Sequence, residues 1–214
     1  GDRDYYTEAE NAEIKKGYEK FLTRVFELAG IPIPETAAAN ALAVEDVLAI
    51  NSWTSVQERD MEKLYNPMST EEIEAKYPGF DFKAYFAARN IPDQKKINVN
   101  EPSFFEAFSN YFAEADLNML KNYMAGQLIQ GACGALSDDF YDASFDFFNR
   151  QMSGVTEQKP RWKRAMSVPN SILGEAVGKM YVEKYFPQSS KKKMVELVAN
   201  LQTALGEHID ALDW

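Results

Sequence analysis

Apolar residues recur every three or four positions along most of the chain, the spacing of one face of an α-helix. Ile14, Tyr18, Phe21, Val25 and Leu28 make the first such face, and Gly30 followed by Pro32 and Pro34 closes it. A second helix starts at Pro34 or Glu35 and runs through the alanine-rich "TAAANALAVEDVLAI", with Val44, Val47 and Leu48 on one face and an extension through Trp53 toward Arg59. "YNPM" breaks it. Ser69 with Glu72 forms a capping box that opens a short helix ended by "YPGF", and Asp81 caps another in "DFKAYFAARN". Alternation at Ile97 and Val99 predicts the one very short strand.

From Pro102 the pattern predicts a short helix and then a very long one reaching Gln151. Leu117, Leu120, Met124, Leu128, Leu136, Phe140, Ala143 and Phe147 fall on its buried side. Gly126, Gly131 and Gly134 each weaken such a helix by about 1 kcal/mol relative to alanine unless close packing offsets it. "MSGVTEQKPRW" reads as a loop, after which a helix from near Pro160 meets Pro169, a position that kinks or splits it. A further segment carries Ile172, Val177, Met180 and Tyr181 to "YFPQSS". Ser190 is placed as the cap of a last helix with the apolar stripe Met194, Leu197, Val198, Leu201, Leu205, Ile209 and Leu212. The fold class is all-α, a multi-helix domain of long packed helices spanning 1–214. Because the last stripe meets no stop signal, the chain reads as cut while that helix is still running.

Composition removes several functions. With 23 basic and 33 acidic residues the net charge is −10, which repels a phosphate backbone and argues against nucleic acid as a partner. No apolar run approaches the ~18 residues of a membrane span, and the start "GDRDYY" resembles neither a signal peptide nor an initiator methionine, reading as a processed or excised end. Cys133, the single cysteine, cannot form an internal disulfide, and its small apolar neighbours in "GACGAL" favour a packed thiol over a nucleophile. His208 is the only histidine. H-E-x-x-H fails because Ile209 follows it, and the inverted H-x-x-E-H fails because position 204 is Ala204.

Asp138, Asp142 and Asp146 share one helical face, with Asp139 adjacent. Such a stripe suits a cation, but a di-metal bundle needs histidines that the chain lacks, so a solvated or cavity-facing acidic edge is the better reading. "KPRWKR" gathers Lys159, Arg161, Lys163 and Arg164 around Trp162. An anion site competes there with a helix start docked by its tryptophan, and the surrounding negative charge favours the helix start. Phosphate-binding glycine loops and G-x-S-x-G are absent from the sequence. No catalytic, cofactor-binding or metal-binding residue is assigned to this chain.

The stretch "MSGVTEQKPRWKRAMSVPNSILGEAVGKMYVEKYFP", with "LVANLQTALGEHIDALDW" after it, resembles the neprilysin and endothelin-converting-enzyme family of zinc metallopeptidases in its bacterial form. "DRDYY", "ERDMEKLYNPMSTEEI" and "INVNEPSFF" fit the same family in the same order. The resemblance implies the helical, non-catalytic half of a two-domain peptidase, which roofs the cavity and limits substrate size. It implies that the catalytic domain, with zinc to polarise the scissile carbonyl and a glutamate as base, follows Trp214. Implied partners are that domain and peptide substrates, and the implied compartment is periplasmic or extracellular in a bacterium. Animal members are rich in disulfides here, so a lone Cys133 points to the bacterial type. The competing expectations are a stand-alone helical interaction module and a metal-dependent enzyme built on the Asp138 stripe.

Overall fold

The computed structural model describes residues 2–92 and 94–213, and among them the helical spacing becomes eleven α-helices with one two-stranded ribbon. The chain divides into two compact units, Gly1–Thr156 and Glu157–Trp214.

In the first unit a short α1 (Asp4–Thr7) precedes α2 (Ala12–Leu28) and α3 (Pro34–Asn51). Helix α2 buries Tyr18, Phe21, Leu22, Val25 and Phe26, the face its spacing predicts, and ends at Gly30, whose φ of +71° suits glycine. Helix α3 lies between α2 and α7 (Leu117–Ala132) and also touches α1. Its buried positions Ala37, Ala38 and Ala41 are small, which lets neighbouring helices approach closely. It stops at Asn51, short of the predicted extension, because Ser52 turns extended (ψ 149°) and Ser103 Oγ accepts from Trp53 Nε1 at 2.7 Å.

A second cluster of buried side chains, Ile73, Tyr77, Phe82, Phe86 and Val99, gathers around α4 (Thr70–Lys76), α5 (Phe82–Ala88) and α6 (Pro102–Glu114). The capping box is present: Glu72 N–H donates to Ser69 Oγ at 3.2 Å and Ser69 N–H donates to the Glu72 carboxylate at 2.7 Å. Asp81 accepts from Ala84 N–H at 2.8 Å, as its position predicts. The predicted strand is β2 (Ile97–Asn98), and it pairs antiparallel with β1 (Pro67–Met68) inside the segment read as a simple break. Proline is accepted at the first residue of so short an edge strand. Gly79 is required by contact: a Cβ there would run into the Ser109 carbonyl on α6, and Gly79 N–H donates to Ser109 Oγ at 2.8 Å.

The very long helix is corrected. Helix α7 ends at Ala132, a 3-10 turn covers Cys133–Ala135, and α8 (Asp138–Ser144) starts afresh after Ser137. Gly131 and Gly134 have nothing within 4 Å of an added Cβ, so no packing offsets their cost, whereas a Cβ on Gly126 would lie 3.2 Å from Phe26. The buried side of α7 is corrected too. Leu117, Met124 and Leu128 are 62%, 65% and 74% exposed, and Gly126 with Cys133 faces the core instead. Farther on, Phe140, Ala143 and Phe147 do pack inward as predicted. A π-helical turn over Phe145–Gln151 sets Phe147 5.6 Å from Tyr18 and Phe148 5.3 Å from Phe21, ring centre to ring centre.

The second unit is three helices, α9 (Arg161–Ile172), α10 (Gly174–Tyr185) and α11 (Gln188–Asp210). Pro169 stays inside α9 and the predicted split comes at Leu173 (φ −116°, ψ 27°), whose N–H still reaches the Pro169 carbonyl at 2.8 Å. Pro187, not Ser190, occupies the cap of α11, because its extended backbone turns its carbonyl toward the N–H groups of Ser190 and Lys191. Helix α11 stops at Asp210, where the Leu212 N–H tightens onto the Ile209 carbonyl, instead of running on. The ends predicted at Gly1 and Trp214 lie outside the described residues.

Candidate functional site

The residues singled out by chemistry do not converge. His208 is exposed in the last turn of α11. Cys133 is buried and its thiol donates to the Ile129 carbonyl at 3.2 Å. Burial pushes that thiol above its usual range, which keeps it protonated and weakly nucleophilic. Asp138, Asp139, Asp142 and Asp146 are all exposed, and Asp146 accepts from Arg150 one turn on. Among the described residues no three His, Cys, Asp or Glu side chains stand together as a metal site. The expected docking of Trp162 is corrected: it is 65% exposed, with Lys163 Nζ 5.4 Å from its ring centroid.

One buried carboxylate, absent from the sequence candidates, organises the first unit. Glu45 on α3 is 7% exposed, and it gathers groups from three other helices. Its Oε2 accepts from the Tyr6 hydroxyl of α1 at 3.1 Å, and its Oε1 accepts from the Tyr18 hydroxyl of α2 at 2.9 Å and from Gln127 Nε2 of α7 at 2.5 Å. Tyr18 Oη also lies 2.9 Å from the Gln130 side-chain amide. A hydroxyl carries one proton, so Tyr18 donates either to the carboxylate or to Gln130 Oε1.

Burial pushes the Glu45 carboxyl above the usual carboxylate range, and the hydrogen bonds from Tyr18, Tyr6 and Gln127 only partly oppose it. Burial, then the Glu45 charge, pushes the Tyr6 and Tyr18 hydroxyls up. Beside the carboxylate lies a cavity of about 110 Å³, whose Lys15 pairs with Asp46 at 2.6 Å. These hydrogen bonds tie α1, α2, α3 and α7 together. A sequence signal existed: Ala38, Ala41, Leu42, Glu45 and Ala49 follow the inward helical spacing, with an acid where an apolar residue belongs.

The second unit presents a different kind of surface. No described residue in 157–213 is buried. On α11 the stripe Met194, Leu197, Val198, Leu201, Leu205 and Ile209 is 47% to 61% exposed. Ile172 on α9 and Met180 and Tyr185 on α10 are exposed as well. A contiguous apolar stripe of this kind is more than the scattered apolar residues of an ordinary free surface.

Comparison with known proteins converges on one family. The N-terminal model of peptidase family M13 matches residues 1–214. The neutral endopeptidase of Lactobacillus helveticus is 29% identical over 216 residues, covering 100% of this chain and 33% of the relative. Neprilysin-2 of Drosophila melanogaster is 26% identical over 230 residues, covering 99% of this chain and 30% of the relative. Among solved structures, the Mycobacterium tuberculosis zinc metalloprotease Zmp1 in complex with inhibitor superimposes with a TM-score of 0.85 at 27% identity, covering 100% of this chain and 33% of that one. In its open state the TM-score is 0.82 at 28% identity. The chain thus spans about one third of the length of the relatives it matches. Matched along its full length by the family model and by these relatives, the all-helical chain belongs to peptidase family M13.

Proposed function

We propose that this chain is a non-catalytic helical part of a neprilysin-like zinc metalloendopeptidase, a 1–214 module that roofs the substrate cavity and limits the size of peptide admitted. Its partners are the catalytic domain of the same polypeptide and the peptides that domain cleaves. The apolar stripe of α11, extended by α9 and α10, packs against further polypeptide of the parent. The parent works outside the cytoplasm of a bacterium.

One observation carries this reading: a chain similar in full to a third of an M13 peptidase leaves a regular apolar helix face uncovered. Zinc is the metal named for the Zmp1 relative. The donors of this chain do not fit a catalytic zinc site, because His208 stands alone and Cys133 is buried with its thiol proton retained. No described helix is long and apolar enough to cross a membrane.

The test is the purified 214-residue chain, assayed for zinc content and for cleavage of a quenched fluorescent peptide. Substoichiometric zinc and no chelator-sensitive turnover are expected. One tightly held zinc per chain with turnover that a chelator abolishes contradicts the reading.

A further inference from the structure

Helix α1 is a single turn of four residues, none of them buried. A turn so short has no stability of its own in water, so its place is set by what holds it. The Tyr6 hydroxyl donates to Glu45 Oε2 on α3 at 3.1 Å. Lys15 Nζ of α2 donates to the Tyr6 carbonyl at 3.4 Å, and Asn11 Nδ2, just before α2, donates to the Asp4 carbonyl at 2.9 Å.

Space lies on both sides of the carboxylate that Tyr6 reaches. The cavity of about 110 Å³ has walls from Tyr5 and Tyr6 of α1, Lys15 and Tyr18 of α2 and Gln130 of α7. A second cavity, of about 190 Å³, has walls from Arg3 and Tyr6, from Leu48 and Ser52 toward the end of α3, and from Tyr123 of α7. Tyr6, Glu45 and Gln127 line both. The hydrogen-bonded trio is therefore the partition between the two spaces, and α1 supplies part of the wall of each. One water needs only about 10–15 Å³ and a few polar partners, so either space can hydrate the carboxylate. Glu45 is thus shut away from bulk solvent with room for water beside it.

The charges around Glu45 are largely matched to one another. Arg3 lies 3.9 Å from Asp4, and Lys15 pairs with Asp46 of α3 at 2.6 Å. The Tyr18 and Tyr123 hydroxyls are pushed up by burial and then by the Glu45 charge, which keeps both neutral. The π-helical turn and α6 contribute the uncharged Phe147, Phe148 and Phe104. Burial raises the Glu45 carboxyl, against the bonds from Tyr18 and Tyr6, the positive amino terminus and the Gln127 bond.

We propose that α1 is a pH-sensitive strap: with Glu45 protonated it is docked across both cavities, and with Glu45 ionised it lifts, joining the two spaces and letting water reach the carboxylate. Docked, the carboxyl keeps its proton between the ordinary glutamate value and the raised one; lifted, it is solvated and has released it. Docking is therefore strongest below the ordinary value and weakens as pH rises toward the raised one. Within that window one proton changes the ratio of docked to lifted α1 about tenfold per pH unit.

The experiment follows the backbone amides of Tyr5, Tyr6 and Thr7 by NMR in the 214-residue chain from pH 4 to pH 8, with the Glu45 carboxyl carbon followed in the same samples. The α1 amides are expected to move from helical toward coil shifts as pH rises, with the midpoint of the Glu45 carbon, while the amides of Leu22 and Val25 in α2 hold their positions. Glu45→Gln should keep α1 docked throughout, and Asp46→Asn should leave the transition in place. A transition that survives in Glu45→Gln or disappears in Asp46→Asn assigns the proton elsewhere and overturns the proposal. So does an α1 that stays helical at every pH, or a set of α2 amides that moves together with it. The paired midpoints decide the matter without any variant: if they differ by a pH unit or more, the strap does not answer to Glu45.

Discussion

The two units spend the same kind of residue in opposite ways. In the first, Leu22, Val25 and Phe26 have no exposed surface, and a buried carboxylate ties α1, α2, α3 and α7 together. In the second, an apolar stripe just as regular, from Met194 to Ile209 on α11, is about half exposed, and no described side chain is buried. Burial of apolar area contributes about 25 cal/mol per Å², so the first unit carries its own reason to fold, while the described residues of the second gain far less from burial. Periodicity specifies a helix in both cases; it says nothing about what lies opposite the apolar face.

That contrast makes substitutions in the two units unequal. Phe26→Ala should cost about 3–5 kcal/mol, because the ring is fully enclosed between α2 and α7 and the space cannot collapse. Urea denaturation reads the loss as a lower midpoint. Glu45→Ala should cost about 1–3 kcal/mol, since the Tyr6 and Tyr18 hydroxyls and the Gln127 amide lose their acceptor. Gly131→Ala should go the other way and add up to about 1 kcal/mol, because a Cβ there meets nothing within 4 Å. Leu201→Ser, at 61% exposure, should stay within about 0.5 kcal/mol in this chain. A loss at Leu201 comparable with that at Phe26 would erase the distinction between the units.

Glu45 also sharpens the contrast through pH. Burial raises its carboxyl, so between the ordinary glutamate value and the raised one the folded chain holds a proton that the unfolded chain has released. Stability therefore falls as pH rises through that window and levels off above the raised value. Glu45→Gln keeps an oxygen for the tyrosines, removes the charge and should abolish this fall. Urea midpoints from pH 4 to pH 8 check it, and parallel profiles for both proteins would show that the carboxylate is not desolvated.

Most of the helices could be read from the chain because their signals are local. The spacing of Tyr18, Phe21 and Val25, the Ser69 and Glu72 box and the Asp81 cap act within a few residues, and each appears where predicted. The failures have a common cause in contacts from outside the element. Leu117, Met124 and Leu128 outweigh Gly126 and Cys133 in hydrophobicity, so the pattern chose the wrong side of α7; the packed side is the small one because Phe26 presses against it. Pro67 pairs with Asn98 across 31 residues of sequence, a partnership no local signal carries. Glu45 was legible only as an acid out of place on an inward face, and its meaning came from tyrosines on other helices.

Family membership was carried by long stretches such as "MSGVTEQKPRWKR", more specific than any helical period. The two cavities beside Glu45 were not legible at all, since their walls come from positions 3 to 152 and only folding brings them together.

Native-state hydrogen exchange of the 214-residue chain tests the central contrast most directly. Amides of α2, α3 and α7 should exchange only through near-global unfolding, while those of α9, α10 and α11 should exchange through local opening at least about a hundredfold faster. Equal protection along α3 and α11 would contradict it, because it would mean that the exposed stripe needs no partner to hold its helices in place.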